Sequence, residues 1–114
     1  MKKILFIFVL ILTFISCGGG DDYTDPDPDS TIVTYQNTIS AIFASNCTSC
    51  HGATPTNGAP SSYVTYSQVK NGVQNGNILT RITSTSSPMP PSGPLSSSVI
   101  TKINEWKASG YLEN

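Results

Sequence analysis

Two segments of the chain carry apolar residues at the spacing of an α-helix. Residues 35–46 contain one such stripe, which consists of Tyr35, Ile39, Ile42 and Phe43. Residues 96–109 contain a second stripe, which consists of Val99, Ile103 and Trp106, with Ile100 beside it. Side chains three or four positions apart lie on the same face of a helix. The pattern therefore predicts two amphipathic helices that bury these stripes in a common core.

The segment between the two stripes is predicted to hold shorter elements and long loops. Residues 62–72 indicate a short helix that ends at Gly72, and residues 77–83 indicate a further helical turn. Residues 84–95 contain four prolines, which remove backbone donors and fix φ, so this segment is predicted to be a loop. Since no strand-like alternation of useful length occurs, the predicted fold class is small all-α.

The densest apolar run of the chain lies near its start. Residues 4–15 contain eleven apolar residues and one Thr, and Lys2 and Lys3 precede them. A membrane-spanning helix needs about 20 apolar residues, whereas a short run after a basic start is typical of a secretory signal peptide. Residues 1–16 are therefore predicted to be an export signal.

Cys17 follows directly after Ser16, at the end of this signal. The arrangement resembles the lipobox of bacterial lipoproteins, in which the cysteine is lipidated on its sulfur and becomes the new N-terminus. An ordinary signal with a chance cysteine is the alternative, and it would leave an unpaired thiol in an exported protein. The resemblance implies a lipid anchor in a bacterial membrane, on the periplasmic side or at the cell surface.

Residues 17–31 are predicted to be a tether between this anchor and a domain formed by residues 32–114. The tether contains five Asp together with Gly and Pro, a composition that favours an extended, solvated chain. Its fourteen residues after Cys17 would span on the order of 45 Å if fully extended. The domain that follows has four basic and two acidic side chains, a net charge of +2.

Composition excludes several classes of function. Charged residues make up 11% of the chain, against about 25% in typical soluble proteins. No basic tract occurs, so nucleic-acid binding is excluded. The chain has one His, and five of its seven acidic residues lie in 21–29. Neither an acid–base enzyme nor a small-molecule substrate is therefore expected.

The chemistry of the chain is concentrated at Cys47, Cys50 and His51, which form the spacing C-x-x-C-H. This is the attachment signature of c-type haem, in which two thiols add to the porphyrin vinyl groups and the following His binds the iron. A thioredoxin-like dithiol would require a β-rich fold, and a zinc site would require further Cys or His ligands. The sequence therefore predicts one covalently bound haem c.

With this motif the chain resembles the small class I monohaem cytochrome c domains over residues 35–112. Phe43, four residues before Cys47, matches an aromatic of the family's N-terminal helix. Ile103 and Trp106 match the aliphatic and aromatic pair of the C-terminal helix that crosses it beside the haem. Ile39 stands where many members have a small residue, so a shifted or wider crossing is expected.

The resemblance also implies further ligands and contacts of the haem. Met89, in Pro88-Met89-Pro90-Pro91, matches the loop that returns the sixth iron ligand. A proline carbonyl is expected to orient the His51 ring, with Pro60 favoured by spacing and Pro55 as the alternative. Arg81 is a candidate partner for a haem propionate, and an ordinary exposed arginine is the other interpretation of it.

Met89 is also reached by elimination. Met1 leaves with the signal, and His51 is the only His, so Met89 is the remaining side chain of the thioether or imidazole kind. The alternative is a methionine that fills a gap in the core. A gap-filling side chain has no need of the proline-rich backbone around Met89, which favours the role of ligand.

A haem with His and Met ligands has no open position for a substrate, so the predicted function is one-electron transfer. Redox proteins at the membrane are the expected partners. The alternative is a haem-based ligand-binding or peroxidase-like protein with an open sixth position, which lacks a distal His here. A third hypothesis is an interaction lipoprotein in which haem serves only as a structural staple.

Overall fold

Helices and loops make up residues 32–114, the part of the chain that the computed structural model describes. A π-helical turn, Tyr35–Ile39, continues directly into α1, Ser40–Asn46. Three helices follow: α2 is Tyr66–Gln74, α3 is Ile78–Thr83 and α4 is Ser97–Ala108. No strand occurs in this range, so the described domain is all-α, as the hydrophobic pattern predicts. The predicted signal, Cys17 and the tether lie outside the described residues.

The first helix begins at a reciprocal cap. The Thr34 hydroxyl accepts a hydrogen bond from the Asn37 amide at 3.2 Å, and the Asn37 side chain accepts one from the Thr34 amide at 2.9 Å. Such a capping box satisfies two of the donors that a helix N-terminus leaves without intrahelical partners. The helix predicted over residues 35–46 is confirmed, and its first turn is π-helical.

The second helix, predicted over residues 96–109, is confirmed: α4 matches these bounds within one residue at each end. Ser96 caps its start, since the serine hydroxyl accepts a hydrogen bond from the Val99 amide at 3.4 Å. Gly110 lies just beyond its end with φ of 83°, a left-handed conformation that glycine adopts without a steric penalty.

Both stripes contribute to one core. The largest fully buried side chains are Trp106, Phe43, Ile39, Ile103 and Val69. The first four come from the two predicted stripes, and Val69 comes from α2. Helix α4 contacts the first helix at the π-helical turn Tyr35–Ile39. Ile39, the expected departure from the family pattern, is therefore a core residue at this contact.

The segment after α4 folds back onto the start of the first helix. The Leu112 carbonyl accepts a hydrogen bond from the Tyr35 amide at 2.8 Å, and the Glu113 carbonyl accepts one from the Gln36 amide at 3.0 Å. The Leu112 carbonyl also accepts a hydrogen bond from the Trp106 indole N–H at 2.7 Å. One carbonyl thus joins α4 to the first helix.

The helix α2 differs from its predicted bounds. It begins after Thr65, whose hydroxyl accepts a hydrogen bond from the Gln68 amide at 3.4 Å. The Gln68 side chain accepts one in return from the Thr65 amide at 3.0 Å. The helix then continues past Gly72 to Gln74. The prediction that it ends at Gly72 is therefore wrong.

Packing explains the glycine inside α2. Gly72 is buried, and a Cβ added there would lie 2.5 Å from Cδ1 of Ile78 and 2.8 Å from Cε1 of Tyr63. Both distances are shorter than a real side chain tolerates, so the residue is small because two neighbours approach the helix closely. A helix stop and a close approach both favour glycine, and the sequence alone does not separate them.

Within residues 32–114, no helix combines the length and the apolar character that crossing a membrane requires.

Replacement of Trp106 by Ala should lower the free energy of unfolding by about 3–5 kcal/mol, because the fully buried ring leaves a cavity. Trp106→Phe should lose less, since it keeps a ring in the core but cannot donate to the Leu112 carbonyl. Denaturant unfolding measures both, with exposed Lys107→Ala as the control on the same helix. A Trp106→Ala midpoint equal to that of the wild type would contradict the packing of α4.

Candidate functional site

A cavity of about 370 Å³ opens between the end of α1, the segment 47–63, α3 and the loop 84–95. Cofactor and small-molecule sites typically enclose about 300–1,000 Å³. Six residues that the sequence predicts to contact a haem line this cavity: Cys47, Cys50, His51, Pro60, Arg81 and Met89. Pro55, the alternative to Pro60, does not line it. The fold therefore brings residues from 47–60 and from 81–89, which are far apart in sequence, to the same cavity.

The two thiols and the imidazole reach the wall through a tight turn at the end of α1. The Cys47 amide donates to the Phe43 carbonyl at 2.8 Å, which continues the helix by one residue. The Cys47 carbonyl then accepts hydrogen bonds from the Cys50 amide at 3.1 Å and from the His51 amide at 2.8 Å. The C-x-x-C-H segment thus forms one further turn, in which Cys47, Cys50 and His51 all border the cavity.

The state of the two thiols bears on the dithiol alternative. Cys47 and Cys50 are both free of a disulfide. Burial raises the pKa of the Cys47 thiol to about 11. Redox-active C-x-x-C pairs use a cysteine whose pKa is lowered, so that the thiolate forms near neutral pH. The environment of Cys47 raises the pKa of this thiol instead, which disfavours a thioredoxin-like role.

The ring of His51 is held by a backbone carbonyl. Its Nδ1 lies 2.7 Å from the Ser61 carbonyl oxygen, a distance at which Nδ1–H donates a hydrogen bond. A proton on Nδ1 leaves the lone pair of Nε2 for a metal, which is the usual arrangement of a histidine ligand. This hydrogen bond favours the tautomer that an iron ligand requires, with the proton on Nδ1.

The residue that supplies this carbonyl differs from the expectation. The acceptor is Ser61, and neither Pro60 nor Pro55 plays the role assigned to it from the resemblance. Pro60 instead lines the cavity, and it is one residue away from the acceptor. The path of the loop decides which carbonyl reaches Nδ1, and residue spacing does not determine that path.

Met89 is held at the cavity by α3. The Met89 amide donates to the Arg81 carbonyl at 3.0 Å, and the Leu95 amide donates to the Ile82 carbonyl at 3.2 Å. The proline-rich loop is thereby attached to α3 at two points, one of them at Met89 itself. Met89 lies at the cavity wall and is absent from the buried hydrophobic core, which disfavours the role of gap-filler.

The rest of the wall is largely apolar and carries little charge. Its apolar and aromatic members are Phe43, Ala59, Tyr63, Ile78, Ile82, Pro90 and Pro91, and its uncharged polar members are Asn46, Ser49, Asn57 and Asn77. Among the described residues that line the cavity, Arg81 is the one with a permanent charge. An apolar wall with a cation at one place suits a flat apolar ring that bears carboxylates.

The two residues that hold the His51 ring were not identified in the sequence. Ser61 supplies the carbonyl that holds His51, and Tyr63 stacks on the His51 ring with centroids 4.6 Å apart and an angle of 26° between the planes. A backbone acceptor leaves no mark on residue identity. Tyr63 does carry a weak signal, as a large aromatic in a stretch of small polar residues.

Comparisons of the chain with family models, with curated proteins and with solved structures found no match.

The residues present fit a covalently bound haem. Two free thiols lie in one turn beside an imidazole whose hydrogen bond favours the appropriate tautomer, and a thioether borders the same cavity. A site for a bare metal ion is a different case. Within residues 32–114, His, Cys, Asp and Glu form no group of three or more that could hold one.

Proposed function

We propose that the protein is a membrane-anchored c-type cytochrome that carries single electrons through a haem with His and Met ligands. The observation that carries this proposal is the shared cavity of Cys47, Cys50, His51 and Met89. The first three come from one turn and Met89 from a loop beyond α3. The helical class and the contact of α4 with the first helix support a cytochrome c-like fold.

Each side chain has a distinct role in this proposal. Cys47 and Cys50 would form thioethers to the haem, and His51 and Met89 would bind its iron. Arg81 lies at the cavity wall and would pair with a haem propionate. The bound haem supplies a reversible one-electron couple, and methionine as a ligand raises its potential relative to a second histidine.

The surroundings of the two iron ligands suit electron transfer. The Ser61 carbonyl holds the His51 ring, and the Arg81 carbonyl holds the backbone of Met89. Ligands held by the fold move little when the oxidation state changes, so little reorganisation opposes the transfer. If His51 and Met89 both bind the iron, the haem would have no open position for a substrate, and the peroxidase-like alternative requires that Met89 not bind it.

Redox proteins at the membrane are the proposed partners. The domain carries few charges, and its acidic residues Glu105 and Glu113 do not line the cavity. Long-range steering depends on net charge and is screened by salt. The rate of association with a partner is therefore proposed to depend only weakly on ionic strength. Lipid at Cys17 would keep the domain near such partners.

Protein matured in a host that assembles c-type cytochromes should keep its haem through acid–organic extraction. Cys47→Ala should retain one thioether, and the double variant Cys47→Ala with Cys50→Ala should retain none, because each thiol forms one bond. Mass spectrometry of the extracted chain measures the attachment. Ser49→Ala, between the two cysteines, is the matched control and should keep both bonds.

Free extraction of haem from the wild-type protein would contradict the proposed function, whatever the variants show.

Met89→Ala should keep the covalent haem and most of the helix content but open the sixth coordination position. The reduction potential should fall with loss of the thioether, and the ferrous form should bind carbon monoxide readily. Met89→His should restore six-coordination at a potential below that of the wild type. Optical spectra and redox titration measure these changes, and Ser92→Ala, an exposed residue outside the cavity wall, is the control on the same loop.

An unaltered spectrum and potential in Met89→Ala would show that Met89 is not a ligand. The ligand-binding alternative would then be favoured over the electron carrier.

Cys17→Ser should convert a protein that partitions into detergent into one that is soluble or retains its signal, because the proposed anchor is attached to that sulfur. Detergent phase separation and the mass of the mature N-terminus measure the outcome. Unchanged partitioning together with cleavage at another position would reject the lipoprotein assignment.

A further inference from the structure

Tyr63 contacts both the ring and the backbone of His51. The two rings are stacked, with centroids 4.6 Å apart and planes inclined by 26°. The Tyr63 amide also donates a hydrogen bond to the His51 carbonyl at 2.8 Å. Ser61, two residues earlier, accepts the hydrogen bond from His51 Nδ1. The short segment 61–63 therefore holds His51 at its backbone, at one ring nitrogen and on one ring face.

Tyr63 is itself held by two neighbours. The Phe43 ring meets it edge to face, with centroids 6.2 Å apart and an angle of 83°. On α2, Gly72 leaves the space that the tyrosine ring needs, since an added Cβ would lie 2.8 Å from Cε1 and 3.4 Å from Cδ1 of Tyr63. A glycine inside a helix is unfavourable relative to alanine. Its presence in α2 is explained by the close approach of Tyr63 and Ile78.

These contacts restrict different movements of the imidazole. A hydrogen bond at Nδ1 restricts rotation of the ring about the Cβ–Cγ bond, but a contact at a single atom still tolerates some tilt of the ring plane. A flat aromatic ring stacked on one face opposes this tilt, because offset-stacked rings keep contact only near parallel. Groups that surround a metal ligand in this way set its orientation and thereby tune the metal.

We propose that Tyr63 is a positioning residue that sets the orientation of the His51 imidazole, and that α2 holds Tyr63 in place through the space at Gly72. The proposal depends on the proposed function, because it concerns His51 as an iron ligand. It adds a connection from α2 to the iron through Tyr63, although Gly72 itself does not line the cavity.

The test uses the full-length protein with haem attached, in four variants. Tyr63→Phe keeps the stacked ring, Tyr63→Leu removes it, and Gly72→Ala pushes from α2 against both this ring and the Ile78 side chain. Tyr66→Leu is the matched control, because Tyr66 is a half-buried tyrosine that packs edge to face against Trp106, with centroids 6.3 Å apart, and does not line the cavity.

The readouts are the electron paramagnetic resonance g-values of the ferric protein and the proton shifts of the haem methyl groups, both of which depend on the plane of an axial imidazole. Tyr63→Phe should match the wild type. Tyr63→Leu and Gly72→Ala should both change the g-values and the pattern of methyl shifts. Tyr66→Leu should lower the unfolding midpoint and leave both spectra unchanged.

Wild-type spectra in Tyr63→Leu would overturn the proposal, and so would an equal change in Tyr66→Leu, which would indicate general loosening of the fold. If Tyr63→Leu does not fold, Gly72→Ala decides, since it keeps every residue of the cavity wall, and unchanged spectra there overturn the proposal. Failure of the proposed function is seen separately, as wild-type protein without covalent haem. Covalent haem with unaltered variant spectra rejects the role of Tyr63 alone.

Discussion

The Leu112 carbonyl accepts hydrogen bonds from the Tyr35 amide and from the Trp106 indole, and the arrangement of the domain depends on this junction. It joins the start of the first helix to α4 and to the segment that follows α4. The indole it binds is fully buried. A domain of this size has a small core, so a single large side chain that is both packed and hydrogen-bonded makes a large share of its stability.

The same scaffold determines where the cavity lies. The first helix is held at its start by the junction, and its far end leads directly into the turn that carries Cys47, Cys50 and His51. On the other side, α3 holds the loop of Met89 through two backbone hydrogen bonds. Because backbone groups provide these attachments, the side chains at the wall are left for binding. The proposed haem would then complete the core from inside the cavity.

The low charge of the domain is consistent with the proposed electron carrier. Charged residues are few along the whole chain. Among the described residues that line the cavity, Arg81 alone has a permanent charge. An apolar environment makes it less favourable for a bound group to carry additional charge. The wall would therefore favour the reduced state of a haem iron, in the same direction as a methionine ligand.

Local features of this protein could be determined from the sequence alone. The two amphipathic helices follow from the period of their apolar residues, and the loop 84–95 follows from its prolines. The C-x-x-C-H motif is a short-range pattern, and the chemistry it indicates depends on spacing within one turn. The signal, the lipid anchor at Cys17 and the tether are predictions of the same local kind.

Contacts between distant segments were decided only by the tertiary structure. The sequence predicts that Gly72 ends a helix, but Gly72 lies inside α2. The close approach of Tyr63 and Ile78 explains why this position is a glycine. The family resemblance implies a proline carbonyl as the acceptor for His51, but the loop brings the Ser61 carbonyl to Nδ1. The physical reason is the same in both cases. Periodicity and residue type specify which face of an element is buried, whereas the path of a loop depends on all the packing around it.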